Sequence, residues 1–169
     1  MSEAIESISN DSVEVQRSET LSCECPSDDL LRQWTRAVLE VSGSEVKTNG
    51  DTAVTIRIVD TAEIRASNQQ WRGKDSATNV LSFPADFPPE AGVNYLGDVM
   101  VCADVLMQES EEQAKTLKDH WAHIVVHGVL HLQGFDHENT HDAEIMEQRE
   151  KEILATLGVA DPYRDDVNS

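Results

Sequence analysis

Hydrophobic and polar positions follow two periods along the chain, and each period predicts a different element. A period of about two residues is typical of half-buried strands and is found around Val13 and Val15 and over Thr52–Val59. Two short apolar segments, Val80–Phe83 and Leu96–Cys102, also predict strands. Proline residues keep the stretch between the last two strands out of regular structure, namely Pro84, Pro88 and Pro89.

A period of about 3.6 residues predicts five helices. The first begins at Pro26–Asp29 and ends at Gly43, and the second begins with a capping box at Asp60 and runs towards Trp71. The others are Asp104–Leu117, a histidine-rich helix after it, and Thr140–Leu157. In the last helix we expect many of the glutamates to face solvent and the apolar residues to face inward, namely Ile145, Ile153, Leu154 and Leu157.

The alternation of strands and helices, without an internal repeat or a domain linker, predicts an α+β fold. We expect a small mixed β-sheet with helices packed on it, forming a single domain over residues 12–169. Residues 1–11 are polar and predict a disordered tail. A chain of 169 residues is long enough to bury one hydrophobic core.

Acidic residues outnumber basic residues by 32 to 13, which gives a net charge of −19. This charge argues against unspecific binding to nucleic acid or membranes, but it is compatible with a local basic cleft. No apolar run is long enough to span a bilayer, and Met1–Ser7 has neither the basic region nor the apolar core of a secretory signal. The three cysteines, Cys23, Cys25 and Cys102, predict free thiols in a reducing cytosol.

Five of the six histidines lie between His120 and His137. His127 and His131 are four residues apart, so they share one face of a helix and can bind the same ion. Gly134 is the type of residue that ends a helix in a left-handed turn, after which the chain can return His137 to the same point. Three imidazoles with a fourth position left to water are typical of catalytic zinc. We therefore predict one zinc ion per chain, bound by these three histidines.

The remaining histidines are interpreted differently. His123 and His127 form a competing ligand pair, which is disfavoured because no nearby helix break returns a third ligand. We expect His120 and His123 to line the site or to form hydrogen bonds in the core. His141 lies among acidic residues, which predicts an exposed position.

Four segments resemble the YbeY family of single-strand-specific endoribonucleases. They are H-G-V-L-H-L-Q-G-F-D-H (127–137), R-G-K-D-S-A-T-N-V-L-S-F-P (72–84), L-G-D-V-M-V-C (96–102) and H-W-A-H (120–123). Together they spread over most of the chain from about Thr52 onward, which makes the resemblance specific. Phe135 stands where many relatives carry tyrosine, so we give this position no chemical role.

The resemblance implies that His127, His131 and His137 hold the metal, usually zinc, and that Arg72 is a functional cation of the site. It implies a cytoplasmic, bacterial-type protein that cleaves single-stranded RNA during 16S rRNA maturation and acts in ribosome quality control. The partners it implies are the small ribosomal subunit, including a small-subunit protein, and an assembly GTPase. No membrane partner is expected, and the oligomeric state stays open.

A zinc ion on three histidines lowers the pKa of its bound water to around 7 and polarises a phosphoryl oxygen. An attacked phosphodiester gathers negative charge, and Arg72 is the candidate to bind it because one planar guanidinium binds two phosphate oxygens. Arg65 and Lys74 are candidates for substrate binding in a basic patch beside the metal, with Arg57 as a further contributor. The last helix is expected to face away. Asp136 is either a turn residue or the group that orients a ligating imidazole or the water.

Two other functions are considered. The histidine spacing is that of metzincin peptidases, but those carry glutamate after the first histidine as the general base, and here that residue is Gly128. We expect Gly128 to permit close packing of the helix. The other alternative is a non-catalytic, zinc-containing ribosome assembly factor. A cysteine as fourth metal ligand would favour it, but no cysteine lies near the motif.

Overall fold

The computed structural model describes residues 13–42, 52–85, 95–135 and 138–163. Several sequence predictions concern residues outside these ranges, namely the tail of residues 1–11, Gly43, Pro88, Pro89, Asp136 and His137.

A four-stranded mixed sheet lies at the centre of the described fold. Its strands are β1 (Val13–Arg17), β2 (Ala53–Val59), β3 (Val80–Pro84) and β4 (Tyr95–Cys102), in the order β1-β2-β4-β3. β1, β2 and β4 are parallel, whereas β3 pairs antiparallel with β4 at one edge. The predicted α+β fold with a small mixed sheet is therefore confirmed.

The described residues form five helices, which cover both faces of the sheet. They are α1 (Asp28–Ser42), α2 (Thr61–Arg72), α3 (Ala103–Glu112), α4 (Leu117–Leu132) and α5 (Thr140–Thr156). α4 is the central helix of the main core and packs against β3, β4, α1, α3 and α5. α2 packs on β4 and α3, where a smaller cluster is buried, namely Val59, Ile64, Leu81 and Cys102.

Polar side chains and glycines fix the ends of α2. Asp60 accepts a hydrogen bond of 2.9 Å from the backbone nitrogen of Glu63, as the capping box predicts. Gly73 follows the helix with a φ of 72°, a conformation that glycine adopts without strain. The helix includes Arg72, one residue beyond Trp71, towards which it was predicted to run. Arg72 therefore projects from an ordered helix end.

The predicted helix Asp104–Leu117 is confirmed as far as Glu112, where α3 ends, but its predicted end at Leu117 is wrong. Ala114 adopts a left-handed φ of 56°, which interrupts the helical path. Thr116 then caps α4 by accepting a hydrogen bond of 3.1 Å from the backbone nitrogen of Asp119. Leu117 thus begins the histidine-bearing helix instead of ending the acidic one.

The inward face of α5 also differs from the prediction. Ile153 and Leu154 are fully buried, as expected, but Ile145 is 43% exposed. The buried stripe instead contains Met146 and Glu150, which are spaced by one helical turn from each other and from Leu154. The sequence analysis did not place any glutamate on the inward face of this helix, so the burial of Glu150 is the main correction.

Gly128 brings α4 into close contact with the sheet, as predicted. A Cβ atom at this position would lie 2.7 Å from Cγ1 of Val99 and 3.3 Å from Cγ2 of Val80. The hydroxyl of Ser82 donates a hydrogen bond of 2.9 Å to the carbonyl oxygen of Gly128, which ties helix and edge strand together. A larger residue would force these two elements apart.

We expect Gly128→Ala to lower the free energy of unfolding by about 1–3 kcal/mol, the usual cost of overpacking a core. Alanine gains about 1 kcal/mol of helix propensity over glycine, which offsets only part of this cost because Val99 is stiff at χ1. Urea denaturation of both proteins measures the difference. A stability equal to or above that of the wild type would contradict the close packing.

Candidate functional site

α4 is buried along its last four turns except for one stripe of histidines. Between His120 and Leu132, only His123, His127 and His131 are partly accessible, and their spacing of four places them on one side of the helix. The ring centroids of His127 and His131 are 4.9 Å apart, whereas those of His123 and His127 are 6.3 Å apart. The helix therefore presents the two predicted ligands as the closest ring pair of this stripe. The third, His137, lies outside the described residues.

His127 and His131 line a cleft of about 610 Å³. Its walls are the edge strand β3, the residues just before that strand, and the turn after α4. That turn is formed by Gly134, which has a φ of 101° and ends the helix as predicted, and by Phe135. The cleft therefore opens where the sheet has its free edge.

Arg72 reaches the same cleft from α2. Its Nη2 donates a hydrogen bond of 2.6 Å to the carbonyl oxygen of Ser82, and its Cζ lies 5.5 Å from the ring centroid of Phe83. Both partners belong to β3, whose edge position leaves backbone groups for side chains to bind. The structure thus joins Arg72 with His127 and His131, which are far apart in sequence.

A buried carboxylate lies behind the histidines. Glu150 of α5 has no exposed surface. Its Oε2 accepts a hydrogen bond of 2.5 Å from Nδ1 of His127, and its Oε1 accepts from Nε2 of His123 (3.3 Å) and from the hydroxyl of Tyr163 (2.6 Å). Burial alone raises the pKa of Glu150, but these hydrogen bonds and the charge of His127 lower it to about 2. The side chain is therefore an ionised acceptor for three donors.

Sequence reasoning missed Glu150 and Tyr163. For Glu150 a signal was present, because it lies four residues from both Met146 and Leu154, and these two apolar residues indicate the inward stripe of the helix. Tyr163 follows α5 in a short acidic segment without periodicity, and no sequence pattern links it to the site. Burial and the hydrogen bond to Glu150 raise the pKa of Tyr163, so it stays a neutral donor.

The expectations for the other histidines are confirmed. His120 is 2% exposed, and its Nε2 lies 2.8 Å from Oε1 of Glu109. Burial is the main cause that lowers the pKa of His120. His123 forms hydrogen bonds beneath the site, and His141 is exposed.

Most of the predicted basic patch lies in ion pairs or away from the cleft. The guanidinium of Arg65 binds Asp75 at 2.8 Å and 3.2 Å, and that of Arg57 binds Glu63 at 2.7 Å. Lys74 is exposed. Neither Arg65 nor Lys74 is among the described residues that line the cleft, and their role in substrate binding stays a prediction.

The cysteines and the hydropathy of the helices were also predicted from the sequence. Cys23 and Cys25 are half-buried, Cys102 is buried, and all three are free thiols, as predicted. In the described part of the chain, the helices are too short or too polar to cross a membrane.

The chain is similar in sequence to known proteins over most of its length. A family model described as endoribonuclease YbeY matches residues 16–158. Proteins named endoribonuclease YbeY from Alkalilimnicola ehrlichii and Alteromonas mediterranea are 49% and 47% identical to the chain, over 83% and 88% of its length and 84% and 90% of their own. The solution structure of TM1509 from Thermotoga maritima is 26% identical with a TM-score of 0.56, covering 90% of this chain and 99% of that one. Arg72, His127, His131 and Glu150 all lie within the range that the family model matches.

Proposed function

Because the chain belongs to the YbeY endoribonuclease family, we propose that it is a metal-dependent endoribonuclease that hydrolyses single-stranded RNA. The observation that carries this proposal is the cleft in which Arg72 of α2 meets His127 and His131 of α4. From the resemblance we further propose that the cellular substrate is 16S rRNA, and that the protein acts in its maturation and in ribosome quality control. The proposed partners are the small ribosomal subunit and its assembly factors in the cytoplasm.

We propose that the metal is zinc and that His127, His131 and His137 bind it. The described residues contain no cluster of three metal-binding side chains, so a third ligand would come from outside them, where His137 lies. Glu150 supports the fit, because it binds Nδ1 of His127 and so directs a metal to Nε2. Ligating histidines in proteins usually have such a carboxylate on the other nitrogen, which fixes the tautomer and the ring orientation. When bound, zinc supplies a Lewis acid and lowers the pKa of a coordinated water to around 7.

The guanidinium of Arg72 can bind a phosphate while it keeps its contacts with the edge strand. A guanidinium carries five N–H donors, and one nitrogen is anchored on the carbonyl of Ser82. The remaining donors can bind phosphate oxygens while the anchor and the ring of Phe83 hold the group in place. A fixed cation of this kind stabilises the charge that develops on the phosphoryl oxygens during attack.

The surroundings of the histidines favour a nuclease over a peptidase. A zincin peptidase carries its general base as glutamate directly after the first histidine, but position 128 has no space even for a Cβ atom. Glu150 does not replace that base, because it is fully buried and its oxygens already accept hydrogen bonds from three side chains. An arginine in the cleft favours a phosphodiester, because this substrate is an anion before it is attacked, whereas a peptide bond is neutral at that stage.

The proposal is tested by incubating the purified protein with single-stranded rRNA, duplex RNA and casein, each with and without a chelator. We expect cleavage of the single-stranded RNA alone, lost with chelator and restored by zinc. Zinc-dependent cleavage of casein with intact RNA would show a peptidase, and RNA binding without cleavage would show an assembly factor. A 2′,3′-cyclic phosphate as the first product would identify the RNA 2′-hydroxyl as the nucleophile, whereas attack by water would not form it.

Glu150→Gln is expected to weaken zinc binding by about 10–100-fold, the usual effect of losing a hydrogen-bond partner of a ligand. A carboxylate only accepts hydrogen bonds, but an amide places an NH₂ group against at least one of the three present donors. If that donor is His127, the imidazole changes tautomer and its Nε2 becomes protonated. Chelator competition measures the affinity. Glu144→Gln removes the same charge from an exposed position of α5 and should leave it unchanged. Equal affinities in both variants would contradict the role of Glu150.

A further inference from the structure

Trp71 is exposed at the end of α2. Its side chain is 64% accessible, whereas the other two tryptophans, Trp34 and Trp121, are 2% and 0% accessible. Single exposed apolar residues are common on protein surfaces. An exposed tryptophan is less common, because this residue is normally well buried. Where tryptophan lies in a binding interface, it often supplies a large part of the binding energy.

The position of Trp71 on the helix adds to this. Ile64 and Asn68 form the buried stripe of α2, and Trp71 lies seven residues after Ile64, on the same side of the helix. The stripe that faces the protein therefore continues to the last turn, but the part of the chain that the structure describes leaves Trp71 64% accessible there. An aromatic face is left accessible at the end of an ordered helix.

Trp71 directly precedes the arginine of the cleft. The guanidinium of Arg72 is anchored on the edge strand inside the cleft, and adjacent Cα atoms are about 3.8 Å apart. The residues that follow, Gly73 to Ser76, are all exposed, and Lys74 adds a second cation. An exposed aromatic ring beside cations is the combination by which proteins bind single-stranded nucleic acids, since bases stack on the ring and phosphates bind the cations.

We propose that Trp71 is a stacking platform for an unpaired nucleobase of the RNA strand whose phosphate is bound by Arg72. This inference rests on the proposed function and adds a substrate-binding residue to it. Stacking uses the flat face of a base, which every base has, so the platform tolerates any sequence. Bases inside a duplex are stacked on each other and do not offer this face, so Trp71 would contribute to the choice of single strands.

Intrinsic fluorescence tests the platform, since Trp71 is the one tryptophan that solvent and RNA can reach. The wild-type protein is mixed with oligouridylate, oligoadenylate, an abasic ribose-phosphate oligomer and duplex RNA, and the emission is read before cleavage proceeds. We expect both single-stranded oligonucleotides to quench the emission and the abasic and duplex probes to leave it nearly unchanged.

Steady-state cleavage provides the second measurement. Trp71→Ala is expected to raise KM for single-stranded RNA by about 5- to 150-fold, which is the usual effect of losing the stacking of one base on an aromatic side chain. The change in kcat should be smaller. Trp71→Phe keeps an aromatic face and should restore most of the affinity. Gln70→Ala, at the exposed neighbouring position, is the matched control and should behave like the wild type.

The outcomes separate this inference from the proposed function. If the wild type cleaves RNA but Trp71→Ala has an unchanged KM and RNA does not quench the emission, the platform is wrong and the nuclease proposal stands. If Trp71→Ala loses binding to a ribosome assembly protein and keeps its KM for RNA, Trp71 belongs to a protein interface and the inference is equally wrong. If the wild type neither binds nor cleaves RNA, both proposals fail.

Discussion

Replacing Arg72 by alanine is expected to lower kcat/KM for single-stranded RNA by about a hundred- to a thousandfold. This is the usual loss when one group that stabilises transition-state charge is removed. The zinc content should remain that of the wild type, because Arg72 is not one of the predicted ligands and is held by its contacts with Ser82 and Phe83. RNA cleavage assays and elemental analysis of the same preparations measure both quantities.

The structure also shows why this loss would not come from unfolding. Arg72 is exposed, and an exposed hydrogen bond and a cation–π contact each contribute about 1 kcal/mol or less to stability. The melting temperature of Arg72→Ala should therefore stay within a few degrees of the wild type. Wild-type turnover in this variant would remove Arg72 from the site, and so would a collapse in stability large enough to explain the loss.

Two further variants separate charge from geometry. Arg72→Lys retains a cation but lacks the planar fork that can anchor on Ser82 and bind phosphate together. We expect it to recover only part of the activity. Lys118→Ala removes an exposed cation from the start of α4, and this lysine is not among the described residues that line the cleft. It should behave like the wild type, which would show that the loss in Arg72→Ala does not follow from net charge.

Local sequence signals were sufficient for most of the fold. The alternating residues of β2 and the capping box at Asp60 each determine structure over a few positions, and both predictions were confirmed. The pairing of His127 with His131 was equally predictable, because their spacing is a property of the helix itself. The wrong end predicted for the acidic helix has a local cause, since Ala114 adopts a conformation that alanine rarely prefers and that no pattern indicates.

Contacts between distant elements could not be predicted in this way. No short stretch of sequence predicts that β3 lies at the sheet edge or that α2 approaches this strand. Both features are needed to place Arg72 in the same cleft as the histidines. Glu150 was missed because glutamate is almost never fully buried unless it is paired, and its partners lie on another helix and near the end of the described chain. The role proposed for Arg72 comes from the resemblance to the YbeY family, whereas its hydrogen bond to the carbonyl oxygen of Ser82 is known only from the structure.

His131→Ala is expected to lose nearly all bound zinc and, with it, cleavage of RNA. A site of three protein ligands keeps zinc through their combined geometry, and two remaining ligands would exchange the ion readily with buffer or chelator. Added zinc stabilises only a protein that binds it in the folded state. It should therefore raise the melting temperature of the metal-free wild type but not that of His131→Ala, which provides a measurement independent of activity.

The histidine variants also decide between the two ligand pairs on α4. His123 forms hydrogen bonds with Glu150 and Tyr163, and its ring lies farther from His127 than that of His131 does. His123→Ala should therefore weaken zinc binding far less than His131→Ala, and the exposed His141→Ala should not change it. If elemental analysis finds full zinc in the His127→Ala, His131→Ala double variant, the metal lies elsewhere. If His123→Ala strips the metal and His131→Ala retains it, the competing pair is correct, and Glu150 then holds a ligand through His123 as well as through His127.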